Sequence, residues 1–186
     1  PLIDDAASPN NNRLENKPLT PDGINNFGLH ITSTNVINAY WEVNYQYGSD
    51  LWTLKGSNGL GTLFYTPFQT QYNNINTQPR AYSAIDIVAS EDNTQVTIQL
   101  PPGKAASFGL NAARTINAGT SYTLTLNKGQ TFSVYPFRFS PLGTDRLAGA
   151  KITSTAPIAV SVKDDGLLTP PSGQTTIGDQ IVPVSI

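Results

Sequence analysis

The chain has no cysteine and no methionine, and it has few charged residues for its length. Since none of the 186 residues is cysteine, disulfides, thiol catalysis and thiolate metal sites are all excluded. Charged residues make up 13% of the sequence, about half the share of an average globular protein. Because there is no methionine, the chain does not begin at its own start codon, and we expect a signal peptide or a larger N-terminal region to precede it.

The charge balance and the hydropathy disfavour two classes of partner. The net charge is −2 and no basic block is present, so nucleic acid and anionic membrane surfaces are poor partners. No apolar run approaches the roughly 18 residues that a membrane-spanning helix needs. We therefore expect neither nucleic-acid binding nor membrane insertion.

Among the features that are present, the most informative is a seven-residue pattern that occurs twice. Gly-x-x-Ile-Thr-Ser-Thr fills residues 28–34 and residues 149–155, which we call the first and the second copy. Each copy runs into an alternating apolar and polar pattern that is typical of a strand. Because the offset between the copies has the length of a domain, it predicts one module over residues 27–148. Residues 149–186 then form either the start of a second repeat or the closing strand of the first sandwich.

The turn signals predict an all-β fold. Residues 1–26 are rich in proline and asparagine and are predicted to be an extended arm or linker. Beyond them, strand-sized segments alternate with turns, and no helical period appears. Asn93 and Gly129 occupy the positions where three-residue hairpin loops need a left-handed residue. The predicted architecture is an antiparallel β-sandwich of about one module plus the start of a second repeat.

Three segments resemble a known family: residues 55–62 (KGSNGLGT), 86–98 (DIVASEDNTQVTI) and 178–184 (GDQIVPV). They are similar to the N-terminal domain named after the IgG-Fc-binding protein, and most similar to its bacterial branch in large secreted surface proteins of Bacteroidota. The resemblance implies a β-rich, extracellular, cell-surface module with an adhesive role and no defined catalytic residues. The cysteines of the animal members are absent here, so the resemblance does not imply Fc binding.

Candidate catalytic residues are few. His30 is the only histidine, so a serine triad or a histidine metal site would have to use it. The alternation with Leu29 and Ile31 instead predicts a surface strand histidine. Glu42 is the best single candidate for a glycosidase carboxylate, yet it is more simply interpreted as a solvent-exposed residue of a strand. We therefore expect no enzymatic activity and no cofactor.

Three acidic residues are candidate calcium ligands. Asp164, Asp165 and Asp179 belong to one glycine- and proline-rich region, and Ca²⁺ prefers such oxygen ligands. Their spacing matches no EF-hand, and acidic turn residues commonly hydrogen-bond their own backbone.

A row of aromatic residues is the candidate ligand-binding site. Trp41, Tyr45 and Tyr47 share one strand face, and Trp52 extends the same surface. Such a row forms either a sugar-stacking platform or the core of a sandwich.

Three functions follow from these observations. The first is a non-catalytic extracellular adhesive or structural module of a larger bacterial surface protein, with neighbouring modules and a protein or glycan on another surface as partners. The second is a carbohydrate-binding module that uses the tryptophans. The third is a self-assembling fibre or sheath subunit, in which residues 1–22 and 181–186 add strands to neighbouring copies.

Overall fold

The computed structural model of the chain describes residues 20–45, 48–76, 81–171 and 173–184. Most of the predicted arm (residues 1–19), Tyr47 and the last two residues lie outside the described residues. Twelve strands are described: β1 (Ile24–Asn25), β2 (Tyr40–Tyr45), β3 (Gly48–Thr53), β4 (Leu60–Tyr65), β5 (Ser83–Ala89), β6 (Thr94–Gln99), β7 (Ala106–Phe108), β8 (Arg114–Ile116), β9 (Ser121–Leu126), β10 (Thr131–Pro136), β11 (Lys151–Thr169) and β12 (Gly173–Ile181). The described helices are four short 3₁₀ helices, at Gly56–Gly59, Leu110–Ala112, Phe137–Phe139 and Gly143–Asp145. Across these ranges, none of the helices has the length and apolar character to cross a membrane.

The strands form one large sheet and one small sheet, and every described pairing is antiparallel. The large sheet has ten strands in the order β8-β7-β10-β5-β11-β6-β9, with β1 beside β10 and with β4 and β12 beside β11. The small sheet is the β2–β3 hairpin. The predicted all-β, antiparallel class is confirmed.

The long strand β11 joins the two halves of the large sheet. Its first residues lie between two strands, since Ile152 is opposite Phe64 of β4 and Ile98 of β6. After a register shift, Ile158 is opposite Ala89 of β5, and the rest of the strand pairs with β12. The sandwich part of the prediction is not confirmed, because β11 joins both halves into a single ten-stranded sheet.

The large sheet curls so that its two ends share one core. Phe108 on β7 and Tyr122 on β9 are far apart in the strand order, yet their ring centroids lie 4.7 Å apart. Phe132 on β10 contacts both rings. In β6, buried residues alternate with more exposed ones, because one strand face points into the core and the other towards solvent. Each fully buried large apolar side chain contributes about 1.5–3 kcal/mol of transfer free energy.

We expected the turns at Asn93 and Gly129 each to join the two paired strands of a hairpin. The turns are present, but the strands on either side of each turn do not pair with each other. Asn93 and Gly129 both have a positive φ, of 53° and 77°. Strand β5 pairs with β10 and β11, however, and β6 pairs with β9 and β11. Each turn therefore carries the chain from one half of the sheet to the other, and it is held by the neighbouring turn instead of by a hairpin ladder. In one such contact, the Lys128 N–H donates to the Asp92 carboxylate at 3.0 Å.

The two copies of the repeat differ in structure. The second copy opens β11, whereas residues 28–39 are irregular and β2 begins only at Tyr40. The expectation that both copies run directly into equivalent strands is thus wrong. The second copy has β4 and β6 as neighbours, and the first copy has no strand beside it among the described residues.

The described end of the predicted arm packs against the large sheet. Ile24 and Asn25 pair with Phe132 and Thr131 of β10. Gly23 is buried with a φ of +80°, and a Cβ atom there would lie 3.0 Å from the Phe132 ring. This close approach explains why a glycine precedes β1.

Candidate binding surface

The β2–β3 hairpin carries both tryptophans of the chain. Trp41 and Trp52 are directly opposite each other across the two strands, with ring centroids 6.2 Å apart and an interplanar angle of 27°. Stacked cross-strand aromatic pairs of this kind stabilise a short hairpin. The pair therefore supports a two-stranded unit that lies outside the ten-stranded sheet.

The tryptophan face of the hairpin packs against β12. A Cβ atom on Gly178 would lie 2.8 Å from the six-membered ring of Trp52, so only glycine permits this contact. In the same place the Gly178 N–H donates to the Asp50 carboxylate at 2.5 Å. Further along, a Cβ atom on Gly48 would lie 3.1 Å from the backbone nitrogen of Thr176.

These contacts locate the predicted aromatic row. Trp41 and Trp52 are half-buried at the junction between the hairpin and β12, and neither belongs to the core cluster of the large sheet. Only the backbone of Tyr45 is described, opposite Gly48, and Tyr47 lies outside the described residues. The sequence left open whether the tryptophans form the core or an exposed platform. The two side chains are neither part of the core cluster nor fully exposed.

The opposite face of the hairpin is exposed and partly apolar. Tyr40 and Leu51 are 58% and 59% exposed, and Glu42 is exposed directly opposite Leu51. Six of the fourteen exposed large apolar side chains among the described residues fall between residues 29 and 51. Tyr40 and Leu51 share one face of the hairpin, and because soluble domains seldom display grouped apolar side chains without a partner, this face is a candidate contact surface. We call Tyr40, Glu42, Leu51 and Thr53 the outer face of the hairpin.

Asp164, one of the candidate calcium ligands, is committed to a buried ion pair. The guanidinium of the fully buried Arg146 donates to both of its carboxylate oxygens, with 3.0 Å between Nη2 and Oδ1. The side-chain amides of Asn74 and Gln69 donate to the same carboxylate at 2.7 and 3.1 Å. This network attaches the irregular segment after β4 to β11.

The other two acidic candidates also have cationic partners. Asp179 accepts from Lys55 Nζ at 2.5 Å, and Asp165 lies 4.0 Å from Lys163 Nζ. Burial raises the pKa of the Asp165 carboxyl, against the attraction of Lys163. Within the described part of the chain, no three histidine, cysteine or acidic side chains are grouped so that they could hold a metal ion. The structure gives each of the three carboxylates a lysine or arginine partner instead of bringing them together.

The two candidate catalytic residues are both exposed. His30 lies in the irregular first copy of the repeat and not in a strand, which corrects that part of the prediction. Glu42 lies on the outer face of the hairpin with Leu51 opposite, instead of across a cleft from a second carboxylate.

Sequence reasoning did not identify the buried Arg146, or Tyr40 and Leu51 on the outer face of the hairpin. Arg146 is a single charged residue in an irregular segment, and no spacing or periodicity distinguishes it from a surface arginine. The position of Tyr40 and Leu51 could have been predicted, because strand alternation places them on the opposite face from Trp41 and Trp52.

A comparison with known protein families identifies the family of this chain. A sequence model described as "IgGFc binding protein" matches residues 51–186, which is most of the chain. The chain belongs to the IgGFc binding protein family. The family match begins within β3 and includes all strands of the large sheet except β1, so β2 and the first copy of the repeat precede it. No curated protein and no solved structure gave a significant match.

Proposed function

We propose that the protein is a non-catalytic, extracellular binding module with an adhesive role, and that it is part of a larger bacterial surface protein. The observation that carries this proposal is the exposed outer face of the β2–β3 hairpin, with its two large apolar side chains Tyr40 and Leu51. Its partner is a protein on another surface, and the neighbouring modules of the same protein flank it.

The chemistry of the outer face is that of a protein contact. Tyr40 and Leu51 supply apolar area, and their cross-strand partners Thr53 and Glu42 supply polar groups beside it. Protein interfaces combine apolar and polar groups in this way, and tyrosine is among the residues that contribute most to binding energy.

The attachment of the hairpin favours tight binding. The stacked tryptophans and the hydrogen bond from Gly178 to Asp50 hold the inner face against β12. A surface that is already held in place loses little conformational entropy when a partner binds, so more of the contact energy appears as affinity.

Family membership supports a binding role and an extracellular location. The family is named for a protein that binds another protein, and the low charge and absence of cysteine agree with our expectation of a secreted bacterial protein. The bacterial branch of the family is part of the proposal and rests on the resemblance of the three segments quoted above.

The alternative of a carbohydrate-binding module depends on the tryptophans. Sugar stacking needs an open aromatic face, whereas the six-membered ring of Trp52 contacts Gly178 and its ring is stacked with that of Trp41. We therefore place the contact surface on the opposite face of the hairpin.

A binding panel distinguishes these functions. The purified chain is tested by surface plasmon resonance against immobilised IgG Fc, fibronectin and mucin, and by sedimentation with insoluble cellulose and chitin. Saturable binding to at least one of the three proteins supports the proposal. Binding to polysaccharide alone, lost in Trp41→Ala, replaces it with the carbohydrate-binding function, and inertness towards all five probes contradicts it.

A further inference from the structure

The two copies of the repeated sequence are in opposite structural states. In the second copy, Ile152 is fully buried and lies between β4 and β6. The equivalent residue of the first copy, Ile31, is 44% exposed in an irregular segment. Four of the five shared residues thus lie in β11 in the second copy, whereas the first copy has no neighbouring strand among the described residues.

The first copy is fixed at one end, and the segment that contains it is fixed again just before β2. The Gly28 N–H donates to the Gly129 carbonyl oxygen at 3.0 Å, and the Leu54 N–H donates to the Ala39 carbonyl oxygen at 2.9 Å. Between these anchors, residues 29–38 make no backbone-to-backbone hydrogen bond with any described residue. A β-prone segment with unpaired backbone groups is suited to add to the edge of a sheet.

The chain also has an edge that accepts such a strand. Strand β9 stands at one end of the sheet order and pairs, within the described ranges, with β6 alone. Its side chains alternate cleanly: Leu124 and Leu126 are buried, while Thr123 and Thr125 are exposed. The backbone groups on its far side therefore form a six-residue antiparallel edge with one apolar face and one polar face.

We infer that residues 29–33 of one copy of the protein add as an antiparallel strand to the β9 edge of a second copy, with Thr32 opposite Thr123. In this register Leu29 and Ile31 are opposite Leu126 and Leu124 on the apolar face. His30 and Thr32 are then opposite Thr125 and Thr123 on the polar face. A slip by one residue would turn Leu29 and Ile31 towards solvent, so the two-residue period selects this register over its neighbours.

A row of threonines within the sheet provides the precedent for this pairing. Thr153 of the second copy is opposite Thr97 of β6, and Thr97 is opposite Thr123 of β9. The hydroxyl oxygens of Thr97 and Thr123 lie 2.9 Å apart. Thr32 holds in the first copy the place that Thr153 holds in the second, so the added strand extends this row by one position. Cross-strand threonine pairs of this kind stabilise a sheet.

The contact joins two different surfaces, because the donor segment and the β9 edge are separate parts of the chain. Such a head-to-tail contact produces either a closed ring or an open chain of copies. Self-association of this kind is independent of the outer face of the hairpin.

Engineered cysteines test the register directly, because the chain has no cysteine of its own. We expect Thr32→Cys/Thr123→Cys to form disulfide-linked dimers and larger multiples under mild oxidation, seen as a ladder on non-reducing gels that reduction abolishes. The control Thr32→Cys/Thr115→Cys carries its second cysteine on β8, at the other end of the sheet order, and we expect it to remain monomeric. Monomers alone in the Thr32/Thr123 variant, with or without an internal disulfide, would overturn the inference.

A charge substitution gives a second test that does not depend on disulfide chemistry. Ile31→Lys alters an exposed side chain, so folding should be retained, and circular dichroism checks this. We expect sedimentation velocity to show association of the unaltered chain that increases with concentration and at least a tenfold weakening in Ile31→Lys. The control Val36→Lys, whose side chain is also exposed but lies beyond the pairing segment, should associate like the unaltered chain. Equal association of all three, or none in the unaltered chain at millimolar concentration, would contradict the pairing.

Discussion

Asp92 and Lys128 belong to two different turns, and a hydrogen bond joins them. The Lys128 N–H donates to the Asp92 carboxylate at 3.0 Å, and beside it the Asn93 N–H donates to the Asn127 side-chain oxygen at 3.1 Å. The two turns thus lie side by side and satisfy each other's backbone donors. This contact allows consecutive strands to leave their turn for different halves of the sheet without a hairpin ladder between them.

Removal of the Asp92 carboxylate should destabilise the fold even though the residue is exposed. We expect Asp92→Ala to lower the free energy of unfolding by about 1 kcal/mol, because the Lys128 N–H loses its partner. Urea unfolding measures the change. Glu91→Ala, in the same turn, is the control and should be almost neutral. An equal effect of the two substitutions would show that the contact between the turns does not support the fold.

The buried pair of Arg146 and Asp164 should contribute far more than an exposed pair. We expect Arg146→Met to cost about 3–5 kcal/mol, because it leaves the Asp164 carboxylate buried without its cation. Adding Asp164→Asn should recover part of this loss, since the charge is removed while Asn74 keeps an acceptor. The control is Lys55→Met in the half-exposed pair with Asp179, which should cost at most about 1 kcal/mol. Similar losses for Arg146→Met and Lys55→Met in urea unfolding would contradict this account.

The packing of the hairpin on β12 depends on Gly178. An added methyl group would collide with the Trp52 ring, so Gly178→Ala should separate the inner face of the hairpin from the sheet and expose the tryptophans. We expect a shift of the tryptophan emission to longer wavelength and a loss of about 1–3 kcal/mol. Ile177→Ala changes an exposed neighbour on the same strand and should leave the emission as it is. An unchanged spectrum in Gly178→Ala would show that the hairpin does not rest on β12.

The partly buried carboxyl of Asp165 should make stability depend on pH. Burial raises its pKa above the ordinary value of 3.8, and Asp86 and Asp164 add to this, while Lys163 opposes it. A carboxyl whose pKa is higher in the folded chain destabilises the fold when it is ionised, so the cost is present at neutral pH and disappears below the ordinary value. We expect Asp165→Asn to raise the melting temperature at pH 7 and to lose this advantage as the pH falls towards 3. A difference that stays constant over this range would contradict the assignment.

The fold class followed from local signals, and the topology did not. Turn residues such as Asn93 and Gly129 reveal where strands end, because only certain residues adopt a positive φ readily. They do not reveal which strands pair, since that depends on contacts such as the one between Asp92 and Lys128. The sequence also could not show that both halves of the sheet share β11, because the register shift after Thr153 does not alter the alternation of apolar and polar residues.

The candidate site could be predicted only in part. Alternation separates Trp41 and Trp52 from Tyr40 and Leu51, but it cannot say which face packs on the molecule. That choice depends on Gly178, whose missing side chain admits the Trp52 ring from a strand more than a hundred residues away. In the same way, the repeated sequence indicated strand-forming residues. It could not show that the first copy is irregular and has no described strand beside it.

The central claim is that the outer face of the β2–β3 hairpin is the binding surface of the module. The most direct measurement is the dissociation constant for whichever of IgG Fc, fibronectin and mucin binds most tightly, determined for Tyr40→Ser/Leu51→Ser and for the control Tyr65→Ser/Val182→Ser. The control alters two exposed apolar residues elsewhere on the surface. The account predicts at least a tenfold weaker affinity for the hairpin variant and an unchanged affinity for the control. Equal affinities of the hairpin variant and the unaltered chain would contradict it.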